Sequence, residues 1–450
     1  MIRYTNEQYR RMDEVSQVFS PSAPIDDWGL FTGRTEQTRD LLISLRQKGQ
    51  HVILYGERGV GKTSLTNMIQ MIVKSKTSAN FNFINVNCDP TDNFTSLWNK
   101  AFRQVSVLRR SRGMGFGRSE TLTERSLSTL VPSELKPDDI RVILGDLPEP
   151  VTFIIDEIDT LVDDLAMPLM AHTIKGLSDY AVKSKIILVG VADTVEDLVK
   201  EHRSIERSLV QVRMPRMSRN ELFEVINRAL VKVSIEIDPD AKQVIAHLSH
   251  GLPHYTHSLG LFSAIRAIET DSSKITLAHV YEATERAIEK SAKNDRMLQT
   301  TFDKATRKSG KNTLHSKVLL ACALAESDEM GTFCAADVKD PLAGITGRKY
   351  GPASYQRHLD DFAGNRRGPV LKKLGEAGMY RYRFINPMLP PFAVIKGIHE
   401  KSLKGEALEE FVLSCSMSPL RKDEERTPGA VYASSGQAVG SAPDGKDLRS

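Results

Sequence analysis

Apolar stretches with polar ends recur at residues 51–55, 151–155 and 185–191, residues 81–87 alternate apolar and polar with period two, and residues 209–214 are expected to be the last strand of the sheet. Runs of this length predict strands, the continuous ones buried on both faces. Between them, residues 36–48, 64–73 and the face formed by Phe94, Leu97, Trp98, Ala101 and Phe102 carry apolar positions at helical spacing. Strands alternating with helices predict an α/β three-layer sandwich with a parallel sheet. After Pro215 the pattern becomes helical, at 219–233, 238–250, 253–269 and 275–292. A third unit starts near Thr313, with short helices at 315–326, 335–342, 353–362 and 370–376, a strand at 379–385 and a helix at 391–400. Short helices closed by a hairpin-like strand predict a winged helix. The chain divides into an extended N-terminal arm (1–30) that wraps the core, an α/β core (31–215), a helical lid (216–300), a winged helix (301–405) and a mostly disordered Ser/Gly-rich tail (406–450).

Composition narrows the classes. The 450 residues are 40% hydrophobic and 26% charged, with a net charge of +4, so any nucleic-acid surface is a local patch. Residues 109–120 place four arginines among glycines and predict an inserted loop, open to two readings: a solvated mobile segment or a contact to phosphate backbone. The four cysteines, Cys88, Cys322, Cys334 and Cys415, lack C-x-x-C spacing and read as reduced thiols. The first residues have no apolar signal core and no apolar run approaches the ~20 residues of a membrane helix, so a cytoplasmic protein without a membrane partner is expected.

The chemistry is carried by Gly56-Glu57-Arg58-Gly59-Val60-Gly61-Lys62-Thr63, followed by Ser64. A strand before it and a helix after it are the context of a phosphate-binding loop. Its glycines let successive N–H groups face phosphate oxygens, and the helix start adds its positive dipole end. Lys62 brings a charge to the β and γ phosphates, and Thr63 offers a hydroxyl to Mg²⁺. ATP and Mg²⁺ are the expected ligands. Phe153-Ile154-Ile155-Asp156-Glu157 supplies the partner: the strand places Asp156 at its end to hold Mg²⁺, and Glu157 can deprotonate the attacking water. The P-loop, Asp156, Glu157 and Asp193 all fall at carboxyl ends of strands, where such sheets bind ligands. The strand at 81–87, between P-loop and acidic strand, fits the additional-strand, catalytic-glutamate division of P-loop NTPases.

With these motifs the chain resembles the AAA+ ATPases over about residues 25–395, and within them the origin-recognition ATPases and the related signal-transduction ATPases with numerous domains (STAND). Phe31-Thr32-Gly33-Arg34 matches the N-terminal box that lies near the adenine in these families. The stretch 188–193 matches the sensor 1 strand, with Asp193 where the families usually have Asn. The stretch 202–209 resembles the arginine-finger region; Arg207 fits the finger best by its distance from Pro215, then Arg203. The resemblance implies a homo-oligomer in which this arginine reaches the neighbouring subunit's γ-phosphate. Gly251-Leu252-Pro253-His254 departs from the sensor 2 arginine of origin-recognition ATPases and matches the Gly-x-Pro motif of the signal-transduction class, with His254 in the arginine's place.

His247, His250, His254 and His257 have metal-like spacing, but the Gly-x-Pro break separates the pairs, and core histidines are expected. For the winged helix two readings stand. Double-stranded DNA would meet Arg348, Lys349, Tyr355, Arg357 and His358 near the recognition helix and Arg381 and Arg383 on the wing, with Asp360 and Asp361 opposing it. A protein effector, encoded elsewhere, would use the same unit without phosphate contacts.

Overall fold

A computed structural model describes residues 4–25, 27–76, 82–112, 120–192, 194–198, 205, 207–294, 296–307, 314–328, 330–376 and 378–399. The first unit runs through α1 (Asn6–Val18), α2 (Thr35–Arg46), β1 (His51–Gly56), α3 (Lys62–Lys76), β2 (Asn82–Asn87) and α4 (Phe94–Arg103). It continues through β3 (Ser106–Arg112), β4 (Glu120–Ser126), α5 (Pro137–Gly145), β5 (Val151–Asp156), α6 (Ala166–Asp179), β6 (Lys185–Val191), α7 (Val195–Leu198) and β7 (Leu209–Met214). Five strands form one sheet in the order β2-β5-β6-β1-β7, every pair parallel. The pleat sorts the core: Ile53, Phe153, Ile155 and Leu188 pack with Trp98, Phe102 and Ile174 on one face. Leu54, Ile154 and Val189 pack with Leu65, Met68 and Ile69 on the other.

The strand interposed in space between β1 and β5 is β6. The strand expected in that role, at 81–87, is β2, which lies beyond β5 at the sheet edge with Asn87 opposite Asp156. Its alternation explains the place: Asn82, Asn85 and Asn87 are exposed, as suits an edge, whereas β6 is buried except at Val191.

The second unit contains α8 (Arg219–Lys232), β8 (Glu236–Ile237), α9 (Pro239–Leu248), α10 (Pro253–Glu269), β9 (Lys274–Ile275), α11 (Leu277–Asn294) and α12 (Arg296–Thr306). The third contains α13 (Leu314–Leu324), β10 (Thr332–Cys334), α14 (Lys339–Thr346), α15 (Pro352–Ala363), β11 (Leu371–Leu374), β12 (Arg381–Phe384) and α16 (Leu389–His399). Its sheet is antiparallel with β12 in the middle. The two units share one apolar cluster that includes Ile226, Leu259, Leu298, Phe302, Leu319 and Phe392. No described helix is long and apolar enough to cross a membrane.

Three expectations are corrected. The N-terminal arm is not extended: a Thr5–Gln8 capping box starts α1, and Val15, Val18 and Phe19 join the cluster of the second unit rather than the α/β core. Residues 109–112 and 120 are not loop but the ends of a paired hairpin, with Arg109 opposite Thr123 and Arg112 opposite Glu120. Residues 113–119 lie outside the described part, as does the tail beyond 399. Residues 371–374 form β11 and not a helix. Gly368-Pro369 ahead and Gly375 behind leave too few residues to nucleate one, and pairing with β12 satisfies the backbone instead.

Candidate functional site

The loop leaving β1 turns at Gly59 (φ +85°) and Gly61 (φ +95°), values that L side chains seldom adopt. A Cβ at either would meet nothing closer than 3.9 Å, so both open onto space at the start of α3. The buried Lys62 Nζ donates to the carbonyls of Gly56 and Glu57, each at 2.9 Å. Burial pushes its pKa down to about 8, opposed by the carboxylates of Asp159, Asp156 and Glu57. The Thr63 hydroxyl donates to Asp156 Oδ2 at 2.8 Å, and Ser64 Oγ accepts from Ile25 N at 3.2 Å. The donors a phosphate chain needs and the oxygens a Mg²⁺ ion needs therefore converge at the carboxyl ends of β1 and β5, so these residues fit MgATP.

Asp156 Oδ1 also accepts from Glu157 N at 2.8 Å. Glu157 is exposed and held at φ +60°, a strained value for a non-glycine residue, while its carbonyl accepts from Thr160 N (2.9 Å) and Oγ1 (2.7 Å). Strain at this position is consistent with a chemical use. The next turn brings in Asp159, which the sequence reading passed over although it completes an Asp-x-x-Asp spacing. Its Oδ1 accepts from Val191 N at 2.7 Å, tying the acidic loop to the end of β6. A Cβ on Gly190 would sit 2.8 Å from Ile158 Cγ1, so the bare glycine lets this turn press against β6.

Arg34 is buried with φ +60°, and its Nη2 donates to Val60 O at 3.0 Å while its Nε has no partner. The box residues also bind α8: Arg228 Nη1 donates to Phe31 O at 2.8 Å, and the Thr32 hydroxyl donates to Glu224. Beside them lies a cavity of about 1130 Å³ lined by Phe31, Arg34, Leu42, Glu221, Glu224 and Arg228 among others. Arg216, two residues past the end of β7, is a second group that sequence reasoning missed. Its Nε donates to Glu57 Oε2 at 2.7 Å.

Asp193 and Arg203 lie outside the described residues, while Arg207 is exposed in the turn before β7. His254 Nδ1 lies 2.6 Å from Pro21 O, so it carries the proton and donates there, and burial lowers its pKa. His257 Nδ1 accepts from Ser20 N at 3.4 Å, and burial pushes His247 and His257 each down to about 4. The break that separates the histidine pairs is real: α9 ends at Leu248, and His250 and Gly251 have positive φ before α10. In the third unit, Tyr355 is core, its hydroxyl donating to Ala335 O at 2.7 Å. His358 packs on His315 with ring centroids 4.4 Å apart, and Asp361 holds His315 Nε2 at 3.0 Å. Arg381 donates to Thr332 Oγ1 at 2.6 Å and pairs with Asp328 at 3.0 Å, Lys373 pairs with Asp360 at 2.8 Å, and Arg383 is buried. Arg348, Lys349 and Arg357 are exposed.

The chain is similar to known proteins in sequence and in structure. Among relatives, an ORC1-type DNA replication protein 1 from Sulfurisphaera tokodaii is 22% identical over 372 residues, covering 80% of this chain and 85% of that protein. Among solved structures, Cdc6p from Pyrobaculum aerophilum is similar with a TM-score of 0.45 at 16% identity, over 86% of this chain and 99% of that one. The Aeropyrum pernix ORC1 protein in complex with DNA is similar with a TM-score of 0.47 at 15% identity, over 84% of this chain and 95% of that one. The family model described as Novel STAND NTPase 1 matches residues 24–316, which hold the whole phosphate loop and both of its acidic partners, and on that match the chain belongs to the Novel STAND NTPase 1 family.

Proposed function

We propose that this chain binds MgATP between the α/β core (31–215) and the helical lid (216–300), hydrolyses it, and uses the cycle to self-associate and act on DNA. The observation that supports this most directly is the Thr63 hydroxyl held on Asp156 at 2.8 Å beside the buried Lys62. When bound, Mg²⁺ supplies Lewis-acid polarisation of phosphate oxygens, and Thr63 and Asp156 would hold it. Lys62 exchanges its two carbonyl partners for phosphate oxygens. The N–H groups from Gly56 to Ser64, through Glu57, Arg58, Gly59, Val60 and Gly61, orient the phosphate chain. Glu157 takes the proton of the attacking water. Asp193 follows the end of β6, where the related ATPases keep a sensor of the γ-phosphate. Arg207, exposed on its own subunit, is the candidate to reach the site of a neighbouring copy and offset the charge that develops during transfer.

For the downstream task, the exposed Arg348, Lys349 and Arg357 are the cations we assign to DNA phosphates in a winged-helix unit at 301–405. A second reading is a signalling or defence ATPase that recruits a separate effector protein. The inward placement of Tyr355 and Arg383 supports it, because each removes a candidate DNA contact. Steady-state ATP hydrolysis with and without double-stranded DNA, at low and moderate salt, separates the two. Stimulation that fades with salt is expected for the DNA reading; turnover indifferent to DNA supports the effector reading. Glu157→Gln should retain ATP without turning it over, and wild-type turnover in that variant would remove Glu157 from the mechanism.

A further inference from the structure

Glu57, the second residue of the phosphate loop, is held by two arginines from different parts of the chain. Arg216, beyond the end of β7, donates Nε to Glu57 Oε2 at 2.7 Å and Nη2 to Oε1 at 3.4 Å. Arg383, on the central strand of the C-terminal sheet, places Nη1 3.9 Å from Glu57 Oε1. The side chains are mostly buried: 16% exposed for Glu57, 7% for Arg216 and 9% for Arg383. Arg216 Nη1 also donates to His250 O at 3.4 Å, in the segment just before the Gly-x-Pro element.

The C-terminal unit is fitted to this cluster. Gly331, just before β10, has φ +66°, and a Cβ there would lie 2.4 Å from Arg216 Cζ, so only a bare backbone can approach the guanidinium so closely. Nearby, Tyr255 of α10 donates its hydroxyl to Met388 O at 2.9 Å. Met388 Sδ lies 3.9 Å from where a Cβ on Gly59 would be. The C-terminal unit therefore meets the phosphate loop at both Glu57 and Gly59.

We infer that Arg216 and Arg383 are positioning residues for the phosphate loop, acting through Glu57 so that docking of the C-terminal sheet sets how firmly the loop holds a nucleotide's phosphates. The path is short. The Glu57 carboxylate accepts from Arg216 and forms a 3.9 Å ion pair with Arg383, and the carbonyl of the same residue accepts from Lys62 Nζ. Displacing the carboxylate moves the carbonyl, and with it the resting place of the lysine. Because binding free energies are reciprocal, a nucleotide that draws Lys62 away also changes how tightly the C-terminal sheet is held. This inference rests on the nucleotide reading of the loop.

The test uses the full chain with Glu57→Gln, Arg383→Gln and the double variant, and Arg383→Lys as the conservative control. Release of a fluorescent N-methylanthraniloyl-ADP is followed by stopped flow. Each single Gln variant should speed release at least fivefold, the double variant no more than either single, and Arg383→Lys should recover part of the wild-type rate. Independent, additive effects, or wild-type release from Arg383→Gln, overturn the inference. Hydrogen exchange of the 51–65 segment without nucleotide provides a second readout. It should quicken in Arg383→Gln, and unchanged exchange also overturns the inference. If wild type binds no nucleotide while the exchange effect is present, the nucleotide reading fails and the clamp on the loop stands.

Discussion

Arg34 reaches from the start of α2 to the carbonyl of Val60, 3.0 Å away, and so braces the phosphate loop from the side of the N-terminal box. It does so from a left-handed backbone conformation and with its Nε unpartnered, two costs that a purely structural residue would shed. Arg34→Ala should therefore lower nucleotide affinity about tenfold, on the order of one charge-assisted hydrogen bond, with little change in Tm because the unsatisfied buried donor goes with the side chain. Isothermal titration with ATP beside thermal melting separates the outcomes; a large fall in Tm with affinity intact would make Arg34 a fold residue.

The Thr63–Asp156 contact predicts a graded series. Thr63→Ser keeps the hydroxyl and should keep Mg²⁺-dependent binding. Thr63→Ala should lose most of it. Asp156→Asn can still accept from Thr63 but carries no charge, so nucleotide should bind with affinity indifferent to Mg²⁺ and with turnover reduced at least a hundredfold. Titrating ATP with and without Mg²⁺ checks this, and a Mg²⁺ response retained in Asp156→Asn removes that carboxylate from the metal site.

Much of this was legible in the sequence, for a physical reason. The strands at 151–155 and 185–191 are apolar runs because a parallel sheet buries both faces of its inner strands, and such runs announce themselves, whereas 209–214 lies at the sheet edge with Gln211 and Arg213 exposed. The loop from Gly56 to Thr63 and the acids at 156 and 157 are contiguous, so their chemistry can be read locally. What escaped depends on distance. Arg383 alternates along a strand like a wing residue, and only the packing of the C-terminal sheet against Glu57 shows it turned inward. Arg216 and Glu57 are 159 residues apart, and nothing local marks them as a pair. The helix expected at 370–376 failed because Val370 and Leu371 are apolar in either period, and the neighbouring strand decided between them.

Asp159 predicts a dissection of charge from tether. Asp159→Asn preserves an acceptor for Val191 N but removes the charge that most opposes the fall of the Lys62 pKa. Asp159→Ala removes both. If the tether aligns the acidic loop with the end of β6, Ala should cut kcat at least tenfold with KM within about threefold, and Asn should be milder. Equal kcat in all three proteins would show that the Val191 contact is incidental to hydrolysis.

Acid should weaken the fold through the start of β1. His51 is buried, and its Nδ1 accepts from Ile186 N at 3.0 Å, which fixes the neutral tautomer with its proton on Nε2. Burial, reinforced by the nearby Lys185 charge, pushes its pKa down to about 3. In the unfolded chain the imidazole titrates near its ordinary 6.5. Between those values the unfolded state binds one proton more than the folded state, so stability falls as pH drops, by about 1.4 kcal/mol per pH unit from this residue. His247 and His257, each pushed to about 4, add the same sign over a narrower window. An asparagine can offer its carbonyl oxygen to Ile186 N without taking up a proton. His51→Asn should therefore be less stable than wild type at pH 7, where it gives up packing. It should then lose about 2 kcal/mol less than wild type between pH 7 and pH 5, since only about 1.5 units of that interval lie below the unfolded pKa. Urea unfolding at the two pH values measures the difference, and parallel losses in the two proteins would show that His51 is not among the groups that set the acid limit.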